Sequence, residues 1–335
     1  MNNPLLEVSE LPVFSQIKPE HVQIAIEHWL AEARAVIERQ LKTTEAFSWE
    51  NLVEPIDAAE DRLHKAWSPV SHMNSVVNND ALRDAYNACL EKLSEYATET
   101  GQNRELYEAY YSIRQSDGFS ALTEAQQKII TNALRDFHLS GIDLPAEQQA
   151  RYKEISQQLS KLASQFEQNL MDATNAWHKV LSNPDELAGL PESALAQARQ
   201  TAQAAGQDGW MISLQFPSYL AVMTYADNRA LREEHYQAFA TRASEQGPDA
   251  GKWDNSDIME QILSLRHEKA VLLGFANYAE YSLATKMAES TGDVNDFLNK
   301  LADKSHAQAQ RDLDELQAFA KAEHGLDDLQ PWDIS

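Results

Sequence analysis

The chain has 335 residues, 43% hydrophobic and 24% charged, a balance that can bury a core and matches a folded globular protein. Its 28 basic and 52 acidic residues set a formal charge of −24, which repels phosphate backbones and anionic headgroups and excludes nucleic-acid and membrane-surface binding as a role. A single cysteine excludes an intrachain disulfide. The opening Met1-Asn-Asn-Pro4 lacks a basic, then apolar leader, and no window nears the roughly eighteen apolar residues of a membrane span, so the expected location is the cytoplasm.

In chain order, Pro19 stands at the first position of a helix carrying Val22, Ile26, Trp29, Leu30, Ala33 and Ile37 on one face. Ser48 fits an N-cap for a helix running toward Trp67, with Pro55 marking a kink or a later start and Pro69 ending the unit. Asn79-Asp80 starts a helix through Leu82, Tyr86, Leu90 and Leu93, closed near Gly101, and Asn103 to Arg114 forms another. Thr123 and Gln126 make a capping box, in which each side chain satisfies a free backbone N–H, ahead of Ile129, Ile130, Leu134 and Phe137.

Pro145 opens the longest segment, where Tyr152, Ile155, Leu159, Leu162, Phe166, Leu170, Ala173 and Trp177 recur at threes and fours along a helix of roughly 50 Å. The pattern then breaks. Glu192 to Ala204 reads as an alanine-rich helix, while Trp210 to Phe216 alternates as a strand does and finds its nearest partner in 177–181. Asn228 caps a helix through Leu231, His235 and Phe239; Gln246 to Lys252 is a loop; Asp254 to Leu273 is a helix ending at Gly274. The last helix runs from about Asp293 to His324 with Val294, Phe297, Leu298, Leu301, Leu313, Leu316 and Phe319 apolar and Gly325 as stop. The expected fold is mostly all-α, an elongated multi-helix assembly with one small β-hairpin or short sheet around 177–181 and 210–216. The expected subdomains are 1–141, helical, and 142–335, built on the long helix with the small β element.

Catalytic spacings are absent. A zinc peptidase needs two histidines four apart on one helical face with a glutamate beside the first. The one His-Glu pair is His267-Glu268, and four positions after His267 stands Val271. A di-iron bundle needs Glu-x-x-His, which none of the ten histidines supplies; Asp303 and His306 have that spacing with aspartate instead, and read as solvated surface. No glycine-flanked nucleophile elbow or phosphate loop is present. Cys89 sits inside a helical pattern and reads as a buried small hydrophobe. Ser68 to Ser75 reads as an interhelical connection rather than a peptide-contacting rim, and Lys286 and Met287 as packing and solvated positions rather than neighbours of a substrate path.

Three segments nevertheless carry a likeness: Asn228 to Ala243, Leu265 to Ala279 and Leu283 to Ala288, supported in order and spacing by Leu11 to Phe14, Trp49 to Leu52, Asn132 to Asp136, Pro217 to Leu220 and Pro331 to Asp333. Together they resemble the thimet-oligopeptidase family of zinc metallopeptidases. The resemblance implies a mostly helical enzyme whose two halves flank a deep channel that admits short unstructured peptides, with zinc at its floor. It implies attack of a zinc-activated water on the peptide carbonyl, with a glutamate taking the proton. In that family the zinc ligands, the general base and the oxyanion-stabilising tyrosines come from the carboxy-terminal half. No position here matches them, so no catalytic, cofactor-binding or metal-ligating residue is assigned, and no zinc is expected in this chain. The expectation is an amino-terminal region that forms a channel wall, is inactive alone, and takes short peptides and its own carboxy-terminal catalytic half as partners. The alternative is a self-contained helical interaction scaffold without enzymatic activity.

Overall fold

The structure, a computed structural model, describes residues 3–7, 11–42 and 45–334. The described residues form twelve α-helices and one two-stranded antiparallel sheet, the mostly all-α class that the apolar periodicity predicts. The chain divides into two units, one of Met1–Ser164 with Leu265–Tyr278, the other of Gln165–Ser264 with Ala279–Ser335.

The first unit is built on α1 (Pro19–Leu41), α2 (Glu54–Val76), α3 (Asp80–Gly101), α4 (Arg104–Gln115), α5 (Glu124–Leu139) and the start of α6 (Ala146–Ala176). In α1 the proline costs nothing because its missing N–H belongs to the uncapped first turn, and Lys18 N–H donates to the His21 ring at 3.2 Å. The apolar face of α1 packs on α2 and α3 and buries Val22, Ala25 and Ile26 completely; truncating Ile26 to alanine there costs about 2–5 kcal/mol. Ser48 caps a π-helical turn over Trp49–Val53, after which α2 starts with Pro55 in its first turn. The Thr123–Gln126 capping box is present.

Two sequence expectations are corrected here. Pro69 does not end α2, which runs on to Val76, so 68–75 is helix and not a connection. Proline inside a helix forfeits one ladder bond at a cost of about 3 kcal/mol; here Pro69 is buried and the turns beyond it bury Val70 and Asn74, so the continuing packing offsets the loss.

The second unit holds the rest of α6, β1 (His178–Leu181), α7 (Glu192–Ala204), β2 (Trp210–Ser213), α8 (Phe216–Tyr225), α9 (Arg229–Ala240), the start of α10 (Ser256–Leu272), most of α11 (Tyr278–Leu283), and α12 (Thr291–His324). β1 and β2 pair from His178↔Ser213 to Leu181↔Trp210, with α7 between them in sequence. Gly209 turns the chain into β2 at φ +100, and a Cβ there would lie 2.3 Å from the Leu181 carbonyl oxygen, so only glycine fits. The strand is shorter than its alternation predicts. Ser213, the last paired residue, donates its N–H to Ser218 Oγ at 3.0 Å, and Phe216-Pro217 starts α8 beyond it. Leu181, Leu187, Ile212, Val222 and Leu231 form the core against this sheet.

In α12, whose capping Ser290 and C-terminal Gly325 match the sequence signals, Ala320 alone among 34 residues is buried. Its apolar stripe faces solvent: Phe297, Leu298, Leu301 and Phe319 are each more than half exposed, at 65%, 53%, 54% and 55%.

Candidate functional site

The second unit gathers its polar chemistry around α9. Asn228 Oδ1 accepts the Leu231 N–H at 3.2 Å and starts the helix, so Arg229 and Arg232, three positions apart, project from adjoining points on its first turns. Both reach Asp333, whose side chain is 1% exposed. Arg229 donates through Nε at 3.0 and 3.1 Å and through Nη2 at 2.8 Å. Arg232 donates from Nη2 to Asp333 at 2.9 Å, from Nε to the Trp332 carbonyl at 2.9 Å and from Nη1 to the Ala226 carbonyl at 2.6 Å. The Arg229 guanidinium, followed by the Gln330 N–H and Arg232, holds the Asp333 carboxyl below the usual carboxylate range against the opposing effect of burial. Every acceptor of that carboxylate faces a donor of the chain itself, which makes it a structural clamp.

One turn further on, His235 is 0% exposed, and among the described residues neither ring nitrogen has a hydrogen bond of standard geometry, although the Ser213 backbone is a polar neighbour of the ring. Its ring lies edge-on to Trp177 at 5.0 Å and parallel to Tyr219 at 5.5 Å, and Tyr219 stacks on Phe239 at 3.8 Å. Arg242 closes the stack, 3.5 Å from the Phe239 ring centroid, with Nη1 donating to Thr174 at 2.9 Å. Burial pushes the His235 imidazole down to about 4. It is a neutral aromatic disc in a core, out of reach of any substrate.

A cavity of 340 Å³ opens among α7, β2 and α8, with Ala198, Thr201, Met211, Ser213 and Val222 in its walls. None of its lining side chains titrates in the biological range, so it offers shape and hydrogen bonds without a general acid or base.

The residues singled out in the sequence are dispersed. Glu268 accepts from Arg151 Nε and Nη2 at 2.6 and 2.8 Å, a bidentate pair inside the first unit that holds the Glu268 carboxyl low. His267 is exposed, as is Val271. Asp303 and His306 are exposed on α12. Cys89 is fully buried, and burial pushes its thiol up to about 11, so it is not a poised nucleophile. Lys286 donates to Ser282 at 2.6 Å and Met287 is 100% exposed. Among the described residues, no three His, Cys, Asp or Glu side chains converge as a metal site requires, and no helix is long and apolar enough to cross a membrane. The Asp333 clamp has one trace in the sequence, two arginines three apart on a capped helix; their partner about a hundred positions away has none.

Comparison with known proteins adds what this geometry lacks. Residues 26–149 match the model of the Neurolysin/Thimet oligopeptidase N-terminal domain, and residues 222–335 that of Peptidase family M3. The chain is 54% identical over 335 residues to Oligopeptidase A of Salmonella typhimurium, covering 100% of this chain and 49% of that protein. It is 54% identical over 334 residues to the Haemophilus influenzae Oligopeptidase A and 53% over 335 to that of Escherichia coli, each covering 100% of this chain and 49% of the relative. The chain thus spans about half the length of the curated relatives it matches. With most of the helical first unit inside one matched segment and the α9 clamp inside the other, the chain belongs to peptidase family M3, the family of thimet oligopeptidase.

Proposed function

We propose that this chain is the amino-terminal region of a cytoplasmic, zinc-dependent oligopeptidase that hydrolyses short peptides in a narrow channel, and that it supplies one wall of that channel. The observation that carries the reading is the end-to-end identity of 54% to Oligopeptidase A together with coverage of 49% of that protein. Zinc is implied by the family, and the residues of this chain do not fit it. A zinc site needs three or four nitrogen, oxygen or sulfur donors converging at about 2.0–2.3 Å, and no such group stands among the described residues. Glu268 of the His267-Glu268 pair is already bound by Arg151. The hydrolytic step therefore belongs, in this reading, to the carboxy-terminal half, and the present residues select and hold peptide.

The experiment is a cleavage assay with a quenched short peptide. The chain alone is expected to leave it intact and to carry no stoichiometric zinc, and addition of the carboxy-terminal half of the longer polypeptide is expected to restore chelator-sensitive cleavage. Chelator-sensitive cleavage by this chain alone overturns the assignment.

The exposed apolar stripe of α12 favours a second reading, a helical scaffold that holds a partner without chemistry. Sequencing the gene past codon 335 separates the two: an open frame that continues into a His-Glu-x-x-His segment supports the peptidase, and a stop codon there supports the scaffold.

A further inference from the structure

The 340 Å³ cavity of the second unit is lined by α7, β2 and α8 and, among the described residues, by none of β1, which places it along the edge of β2 that β1 does not pair. Its volume lies at the small end of ligand-sized pockets, which run from about 300 to 1,000 Å³. Ala194, Ala198, Ala221 and Val222 give it small apolar walls, Gln197 and Ser218 bring hydrogen-bonding groups, and no lining side chain is ionisable.

The register fixes where the backbone of β2 points. In an antiparallel pair, alternate residues turn both N–H and C=O toward the partner strand, and the residues between them turn both away. Ser213 turns away: its N–H donates to Ser218 Oγ at 3.0 Å, and its backbone neighbours the His235 ring. Met211, two residues back and opposite Val180, turns away as well. Met211 is only 9% exposed, and among the described residues no group outside the strand pairing bonds its N–H or its C=O. A donor and an acceptor of one nearly buried residue are left to the cavity, where backbone groups are as a rule paired.

We propose that this cavity binds a short, extended, uncharged peptide segment added to the edge of β2: one ligand residue accepts the Met211 N–H and donates its own N–H to the Met211 C=O, while α7 and α8 cover its flanks. Such a pair of bonds is one rung of an antiparallel ladder, and addition of a strand to a free sheet edge is a recurrent way of holding peptide. Only this rung is open, because Ser218 already takes the next outward donor, at Ser213. Walls without charge match a neutral segment: an ionised side chain or chain terminus would lose its water there and gain no partner. A purely apolar ligand would leave both Met211 groups unanswered. The site is separate from the peptidase reading, since it binds without cleaving, and it stands on its own observations.

An amide NMR titration of the whole chain tests it, with nitrogen-15 confined to the seven methionines and the Met211 signal identified by its loss in Met211→Leu. The probes are N-acetyl-valine methylamide and its ester analogue, in which oxygen replaces the valine N–H. The amide probe is expected to move the Met211 signal downfield and to saturate, and the ester to bind about tenfold more weakly, the loss of one hydrogen bond. Thr201→Trp, which narrows the cavity from an exposed position on its wall, is expected to weaken the amide probe at least about tenfold. Thr224→Trp, the same change at an exposed position outside the cavity, leaves it unchanged. A Met211 signal that does not respond, equal affinity for amide and ester, or equal weakening by the two tryptophan variants overturns the proposal. So does loss of the probe's effect when the carboxy-terminal half of the longer polypeptide is added with chelator present, which shows that half as the occupant. No cleavage is measured, so none of these outcomes bears on the peptidase reading.

Discussion

Arg232 and Asp333, 101 positions apart in the chain, meet through a 2.9 Å charge-assisted hydrogen bond in which the aspartate side chain is 1% exposed. With Arg229 on the same carboxylate, this contact ties the segment after α12 to the first turns of α9.

Replacing Asp333 by alanine leaves two guanidinium groups facing each other without their shared anion. The expected loss is on the order of 2 kcal/mol, the range for hydrogen bonds to charged groups, measured by urea unfolding. Arg229→Met is expected to cost less, because Arg229 is 40% exposed and Arg232 only 16%. The sign with pH follows from the depressed Asp333 carboxyl: its contribution is present above its ordinary value and disappears as pH falls through the folded value. Stability that is identical in wild type and Asp333→Ala at neutral pH contradicts the clamp.

His235 has a second and separate pH dependence. Burial lowers its value from 6.5 to about 4, so between those values the unfolded chain binds the proton that the folded chain refuses, and stability falls as pH drops through that window. At the bottom of the window the loss amounts to about 3 kcal/mol, at about 1.4 kcal/mol for each unit. His235→Phe keeps the stack on Trp177 and Tyr219 and is expected to flatten the pH 4–6.5 limb of the stability curve. An equal slope in both proteins shows that the imidazole titrates freely.

Gly209→Ala is expected to destabilise the second unit by about 2 kcal/mol or more, because the added Cβ meets the Leu181 carbonyl oxygen at 2.3 Å and the φ of +100 is hostile to any side chain. Gly206→Ala is the comparison: its φ of +68 is also left-handed, yet nothing lies within 4 Å of the new atom, so it is expected to cost about 1 kcal/mol. Thermal unfolding of the pair checks this, and equal costs remove the steric argument for β1–β2 pairing.

The exposed stripe of α12 predicts self-association. Phe297, Leu298 and Leu301 lie on adjoining turns, each more than half exposed, and together they present an apolar patch of the sort that seeks a partner. Sedimentation equilibrium is expected to show oligomers that Phe297→Lys with Leu301→Lys disperses, with no fall in melting temperature, since neither side chain is buried. A strictly monomeric wild type excludes it.

What was legible in the sequence was local. Proline at a first turn, the Thr123–Gln126 box, the Asn228 cap and the glycine stop at Gly325 each act within one turn of chain, and each stands where it is read. Expectations failed where packing or a side-chain hydrogen bond overrode the preference read from the sequence pattern. Pro69 is a breaker until the burial of the following turns outweighs its lost bond. The alternation from Trp210 to Phe216 is a strand only as far as Ser213, whose own N–H donates to Ser218 Oγ.

By itself the sequence determined the helical class, the position of the small sheet and the kinship with peptidase family M3, because periodicity, caps and segment order are carried by neighbouring residues. Only the tertiary structure decided that Glu268 belongs to Arg151, that Asp333 belongs to two arginines of α9, and that Met211 lines an open cavity between α7 and α8. Charge pairing and cavities depend on distances between residues far apart in the chain, and those distances exist only after the helices have packed.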